Sequence, residues 1–173
     1  AFCEGASVRL QASPSTSYQW FRNGTAINGE TARELIVSTS GAYTVQAVSN
    51  QNTTLSEVVN VNVTLLPVIT YASSYSFERT KVLNTTTPTL SGGTATSYSI
   101  SPALPTGLSF NTTNGSITGT PSVVSASATY TVTGTTASGC TNTDQVLVTV
   151  NPLPTVDGGT DVTICAGETV TLT

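Results

Sequence analysis

The sequence predicts an all-β protein of the β-sandwich class, and three observations support this prediction. Valine, isoleucine, leucine and tyrosine alternate with polar residues through almost every segment, which is the period of a half-buried strand. Threonine is abundant, and its branched β-carbon favours strands over helices. The strand-like segments are short and are separated by turn residues, as in sandwiches. This alternation also argues against a disordered stalk rich in serine and threonine.

We predict a first domain at residues 1–65. Its strand-like segments are 8–12, 18–22, 34–37, 40–47 and 59–63. The pair Asn23-Gly24 follows the second segment and predicts a tight turn, because asparagine and glycine accept positive φ angles.

Two motifs in this domain resemble the immunoglobulin-like fold. Trp20 stands where that fold has the buried tryptophan of its third strand, and Thr39-x-Gly41-x-Tyr43-x-Val45 is similar to its Asp-x-Gly-x-Tyr-x-Cys corner. Valine replaces the cysteine, so no disulfide can join the two sheets at that site. We therefore expect the core residues Trp20, Tyr43 and Val45 to hold the sheets together by packing.

We predict a second domain at residues 66–152. A short apolar connection at 64–69, stiffened by Pro67, precedes it. Its strand-like segments include 71–77, 128–133 and 145–150, with a turn at 137–140. A hairpin is predicted around Asn114-Gly115 as a two-residue turn. The expected core residues of this domain are Leu108, Phe110, Ile117 and Tyr130.

The same hairpin carries a family resemblance. Residues 104–110, Leu-Pro-Thr-Gly-Leu-Ser-Phe, and residues 115–121, Gly-Ser-Ile-Thr-Gly-Thr-Pro, look like the signature of the He-PIG (cadherin-like) immunoglobulin-like repeats of large secreted bacterial surface proteins. The resemblance covers about residues 67–150. It implies an architecture and a setting, and it does not name a ligand.

An internal repeat predicts the start of a third immunoglobulin-like domain at residues 153–173. The pattern Cys-x-Gly-x-x-Val-x-Leu begins at Cys3 and again at Cys165. We therefore expect this chain to be a fragment of an array of tandem, end-to-end domains that is elongated as a whole.

The three cysteines leave their pairing open. Cys3, Cys140 and Cys165 are an odd number, and spacing alone does not give connectivity. One alternative is that Cys3 and Cys140 are unpaired, small buried residues, and the other is that a disulfide forms. In relatives of the first domain, a cysteine at the position of Cys3 usually accompanies one in a later Gly-Cys turn like Gly139-Cys140. Here the first domain lacks the later cysteine and the second domain lacks the earlier one, so this resemblance does not give the pairing.

Composition argues against several functions. The five basic residues give no electrostatic surface for nucleic acid, and no apolar run is long enough to insert in a membrane. The chain has no histidine, and its nine carboxylates are scattered, so we expect no enzyme and no cofactor. Asp157 and Asp161 are weak calcium candidates, but two aspartates are few for a calcium ion and a plain turn is favoured.

The succession of domains resembles giant cell-surface adhesins of Bacteroidota, including those used in gliding motility. That resemblance implies an extracellular position on the bacterial surface and a role as spacer in a filament. The implied partners are neighbouring repeats, the type IX secretion machinery and, through other regions, a surface polysaccharide or substratum.

Two alternatives remain open. A carbohydrate-binding accessory module of a secreted polysaccharide-degrading enzyme needs a row of exposed aromatic rings. For the candidates Tyr71, Tyr75, Tyr98 and Tyr130 a core position is favoured. A structural surface-layer or fibre subunit needs an open sheet edge that a neighbouring chain fills.

Overall fold

The computed structural model describes residues 1–50, 52–155, 165–167 and 169, and within these residues it contains strands and turns without a helix. Seventeen strands surround two hydrophobic cores. One core is formed by residues between 12 and 61, and the other by residues between 69 and 148. The predicted all-β class is confirmed. The boundaries at residues 65 and 152 stay predictions.

Nine short strands surround the first core. They are β1 (Phe2–Cys3), β2 (Val8–Gln11), β3 (Ser17–Arg22), β4 (Thr25–Ala26), β5 (Glu34–Val37), β6 (Gly41–Ser49), β7 (Asn52–Leu55), β8 (Val59–Val61) and β9 (Val63–Thr64). One sheet has the order β4-β3-β6-β7, with β8 also paired to β6, while β2 pairs with β5. Strand β1 runs parallel to β9. The alternation predicted five segments here. It missed the two-residue strands β1 and β4, and it missed β7, whose residues are all exposed.

The Asn23-Gly24 turn is present as predicted. Asn23 has a φ of 51° and Gly24 a φ of 79°, so both residues that join β3 to β4 are left-handed. Two left-handed residues give the turn whose twist matches that of the flanking strands, which explains why this pair closes the hairpin.

The first core forms around Trp20, which is 3% exposed. Its cross-strand partner on β6 is Val45, and both side chains lie in one buried cluster with Tyr43. The Tyr43 hydroxyl donates a hydrogen bond of 2.9 Å to the carbonyl oxygen of Thr39. This is the tyrosine corner of immunoglobulin-like sandwiches. It forms although threonine replaces the usual aspartate, because the acceptor is a backbone atom.

Eight strands surround the second core. They are β10 (Pro67–Thr70), β11 (Ser74–Glu78), β12 (Thr89–Gly92), β13 (Ala95–Ser101), β14 (Leu108–Phe110), β15 (Ile117–Gly119), β16 (Ser125–Thr136) and β17 (Thr141–Asn151). The main sheet has the order β11-β17-β16-β13, with β11 parallel to β17. Strand β10 pairs with β12, and β14 pairs with β15. The peptide bond between Ser101 and Pro102 is cis.

The predicted connection at 64–69 is shorter than expected. Pro67 is fully buried and begins strand β10, which pairs along one side with β12. A proline fits at the first residue of such an edge strand, because its missing N–H is not needed for pairing on the other side. The residues between strands β9 and β10 are therefore Leu65 and Leu66 alone.

The prediction of a two-residue turn at Asn114-Gly115 is wrong. Phe110 pairs with Ile117, so residues 111–116 form a longer loop. Gly115 has a φ of 73°, whereas Asn114 is not left-handed. The Asn111 side chain accepts hydrogen bonds from the backbone N–H groups of Thr113 and Asn114, and this local alternative to a tight turn sets the loop.

Candidate functional site

A disulfide, hydrogen bonds and close backbone contacts connect the two units at one region, and we call it the junction. It consists of Cys3 and Glu4, the connection Leu65–Leu66, the pair Gly92-Gly93 and the turn 136–140. The pairing of β1 with β9 places Cys3 and Glu4 beside the connection Leu65–Leu66. The hairpin of β16 and β17 contributes the turn 136–140.

A disulfide joins Cys3 to Cys140 across this junction. The two residues are 137 apart in sequence, and their Cα atoms are 5.5 Å apart. Cys140 is 2% exposed and Cys3 is half-buried. The sequence left the pairing of the cysteines open. The structure pairs Cys3 with Cys140, and the alternative that both are unpaired thiols is wrong. Cys165 is free and exposed.

The turn that presents Cys140 is held by its own hydrogen bonds. The backbone N–H of Cys140 donates to the Thr136 hydroxyl at 3.0 Å, and the N–H of Gly139 donates to the Thr136 carbonyl at 2.9 Å. Gly139 has a φ of 85°, which a residue with a side chain rarely adopts. The sulfur atom is therefore positioned by a rigid turn rather than by a mobile loop.

Backbone contacts add to the disulfide. The N–H of Leu66 donates to the Glu4 carboxylate at 3.3 Å, and its carbonyl accepts from the N–H of Gly93 at 2.8 Å. A β-carbon on Gly93 would lie 2.1 Å from the carbonyl oxygen of Leu65, and one on Gly92 would lie 2.6 Å from that of Leu66. The connection Leu65–Leu66 thus packs so closely against residues 92 and 93 that only glycine fits at these two positions.

A second set of contacts fixes the hairpin that carries the sequence signature. The Tyr71 hydroxyl donates a hydrogen bond of 2.5 Å to the carbonyl of Gly115, and the Tyr98 N–H donates to the Thr112 carbonyl at 2.7 Å. Ile117 is completely buried. Burial is the main cause that raises the pKa of Tyr71 far above the usual range of tyrosine, and the nearby Tyr98 and Tyr75 act in the same direction. The hairpin is therefore part of the core.

The expected core residues are placed as follows. Trp20, Tyr43, Val45, Ile117 and Tyr130 are buried, with exposed fractions between 0% and 6%. Leu108 and Phe110 are half-buried and pack against the second core. Asp157 and Asp161, the calcium candidates, lie outside the described residues. Among the described residues, no group of three or more histidine, cysteine, aspartate or glutamate side chains is placed to hold a metal ion.

Aromatic side chains do not form an exposed platform. All eleven phenylalanine, tyrosine and tryptophan residues of the chain lie within the described part, and each is buried or half-buried. Of the four tyrosines considered for sugar binding, Tyr71, Tyr98 and Tyr130 belong to the second core. Tyr75 is half-buried and stacks on Phe77 with 5.9 Å between ring centroids.

The first unit also has an open cleft of about 470 Å³ beside strand β2. It is lined by residues 9–13, 54–57 and 59, together with Trp20, Tyr43, Val45 and Ala47. Within the described residues, the pairing partner of β2 is β5, so its other edge is open. Among the described residues, no helix is long and apolar enough to span a membrane.

The geometry defines a class of protein: a β-sandwich protein with immunoglobulin-like units, the first of which has a tyrosine corner, joined covalently at a short junction. The sequence matches the He-PIG family, described as Putative Ig domain, over residues 57–151. This is more than half of the chain, and the chain belongs to this family. A comparison with curated proteins gives no significant match.

Solved structures show the same fold. The insect immune protein hemolin is similar with a TM-score of 0.52 and 16% identity over 87% of this chain and 44% of the hemolin chain. A structure of three immunoglobulin domains of titin has a TM-score of 0.52 and 13% identity, over 87% of this chain and 62% of the titin chain. The chain thus spans less than two thirds of either protein. Both neighbours are arrays of immunoglobulin domains, which confirms the predicted fold class.

Proposed function

We propose that this chain is a spacer segment in the surface filament of a secreted bacterial adhesin, and that its work is to transmit force and hold a binding region away from the cell. The observation that carries the proposal is the Cys3–Cys140 disulfide, which joins two successive units covalently. A covalent bond between units resists their separation under tension, which suits a load-bearing array.

The disulfide also supports an extracellular setting. Structural disulfides form and persist in oxidising compartments such as the cell surface. Immunoglobulin-like modules of the adhesion type are typically extracellular, and the chain belongs to such a family. Within this proposal, neighbouring repeats are the direct partners, type IX secretion exports the protein, and gliding motility is the process served, as in the adhesin SprB of Bacteroidota.

A replacement experiment in the source bacterium tests the spacer role. In one strain, residues 1–152 are deleted in frame from the parent gene. In the matched strain they are replaced by two unrelated immunoglobulin-like domains of equal total length. A spacer predicts that deletion weakens surface attachment and that replacement restores it. If the unrelated domains fail to restore attachment although the protein reaches the surface, these residues have a specific binding role and the proposal is wrong.

The carbohydrate-binding alternative is disfavoured by the aromatic residues. Stacking on a sugar ring needs an exposed aromatic face, and each aromatic side chain of this chain is buried or half-buried. A glycan array probed with the labelled chain tests this alternative directly. Binding to a defined oligosaccharide would support the accessory-module function against the spacer.

One observation favours the fibre-subunit alternative. The free edge of β2, next to the cleft, exposes backbone groups to which a strand of a second chain could pair. Sedimentation of the purified chain separates the two functions. We expect a monomer over the micromolar range, whereas concentration-dependent association through this edge would favour a fibre subunit.

A further inference from the structure

We propose that the Cys3–Cys140 disulfide is a load bypass: tension applied to the two ends of the chain passes from residue 3 directly to residue 140 and leaves residues 4–139 unloaded. The use of this bypass in a filament rests on the proposed function. The bypass itself is a property of the covalent structure and is testable on the isolated chain.

The covalent topology determines which residues bear the load. A stretched chain bears load along its shortest covalent path, and the disulfide shortens that path by a sequence separation of 137 residues. The first core lies within this loop, since its buried residues run from Ala12 to Val61. The unloaded part also contains strands β10 to β16. None of these strands can be extended by the ends until the sulfur–sulfur bond breaks.

The load continues from Cys140 into strand β17, because this strand begins one residue after Cys140. It has 11 residues, from Thr141 to Asn151, and is paired with β16 on one side and β11 on the other. A strand rises about 3.3 Å per residue, which is close to the limit of about 3.3–3.6 Å for a stretched chain. Tension along β17 therefore produces little extension and does not require its pairings to break.

Packing keeps this strand in place under load. Val146, Val148 and Val150 point to one face of β17 and have exposed fractions of 0% to 1%. Val146 and Val148 belong to the second core, and the burial of all three side chains holds the loaded strand along its length. Because the disulfide lies at the start of β17, tension passes from Cys3 directly into this buried strand.

Without the disulfide, the load reaches both units through their terminal strand pairs. In the first unit, β1 and β9 are joined in parallel at two residue pairs, Phe2 with Val63 and Cys3 with Thr64. In the second unit the load enters through β10, which pairs antiparallel with β12 at four residue pairs, from Pro67 with Gly92 to Thr70 with Thr89. The next strand, β11, is joined in parallel to the last strand, β17, at five residue pairs. The second unit therefore resists the load with more strand pairing than the first, and the first unit unfolds at the lower force.

Single-molecule force extension tests this inference. The full 173-residue chain carries a handle at each end and the change Cys165→Ser, which removes the free exposed thiol. The oxidised chain is compared with the same chain in dithiothreitol, which forms a cyclic disulfide as it reduces the protein bond to two thiols. A Cys3→Ser/Cys140→Ser variant is the matched control that has no bond under either condition.

We expect the reduced chain and the serine variant to release about 450–490 Å more contour length than the oxidised chain, since 137 residues extend by about 3.3–3.6 Å each. The release should come in two steps, with the first unit first. Because the reduced chain has no substitution at residues 3 and 140, it shows the effect even if the serine variant does not fold.

Two results would overturn the inference. One is an oxidised chain, free of thiols by mass spectrometry, that releases the same length as the reduced chain. The other is detection of free thiols at both Cys3 and Cys140 in the untreated protein. Neither result bears on whether unrelated domains restore attachment in cells, so failure of the bypass and failure of the spacer role are distinguishable.

Discussion

The hydroxyl of Tyr71 donates a 2.5 Å hydrogen bond to the carbonyl oxygen of Gly115, 44 residues further along the chain. This bond ties the start of the second unit to the loop between β14 and β15. A β-carbon on Gly115 would lie 2.7 Å from the same hydroxyl, so the contact requires glycine as well as tyrosine. The loop that carries the family signature is therefore positioned by a residue well outside it.

Removing this hydroxyl should destabilise the protein. We expect Tyr71→Phe to lower the free energy of unfolding by about 1–3 kcal/mol, since it leaves a buried carbonyl without its donor. Urea denaturation followed by circular dichroism measures the effect. The control is Tyr75→Phe, because the Tyr75 hydroxyl accepts a longer, exposed bond of 3.3 Å from the N–H of Ala72. Equal losses in the two variants would contradict a special role for Tyr71.

Stability should fall at alkaline pH. Burial raises the pKa of both Tyr71 and Tyr98 above the usual value of about 10. Below pH 10 tyrosine is neutral in the folded and unfolded states, and this contribution to stability is fully present. Above pH 10 the unfolded chain releases protons that the folded chain keeps, so the free energy of unfolding falls by up to about 1.4 kcal/mol per pH unit for each group.

Melting temperatures between pH 8 and 11 measure this dependence. The Cys165→Ser background prevents thiol exchange at high pH. Tyr71→Phe should make the decline shallower, because the substituted residue does not titrate. A decline of unchanged slope in that variant would show that other groups cause it.

Loss of the tryptophan should unfold the first unit. Trp20→Ala removes a side chain that is 3% exposed, and we expect a cost of about 3–5 kcal/mol. Circular dichroism in urea is the measurement. Ile36→Ala is the matched control on β5, since Ile36 is 71% exposed and should change stability little. A Trp20→Ala protein as stable as the control would refute the role of Trp20 in holding the sheets together.

The two cores should respond to substitution separately. Trp20→Ala should speed amide hydrogen exchange in strands β3 and β6, and Ile117→Ala should speed it in β14 to β17, because the buried clusters share no residue. Hydrogen exchange with mass spectrometry resolves the two regions. If either substitution speeds exchange equally in both, the predicted domain boundary near residue 65 is wrong.

Much of the first unit follows from the sequence alone. Alternation predicted the strand at 34–37 with its observed bounds, and the left-handed preference of Asn23-Gly24 predicted its turn. The tyrosine corner was also predictable, since the Tyr43 hydroxyl bonds to a backbone atom four residues away. These features depend on interactions between residues that are close in sequence.

The tertiary structure alone decided the features that depend on distant residues. The pairing of Cys3 with Cys140 required two units to meet, because nothing in the spacing of three cysteines selects a partner 137 residues away. Pro67 became part of a strand because β12 lies beside it. The signature hairpin acquired its longer loop and its contact with Tyr71 in the same way. Local patterns determined which segments are strands, and long-range packing determined how those segments are tied together.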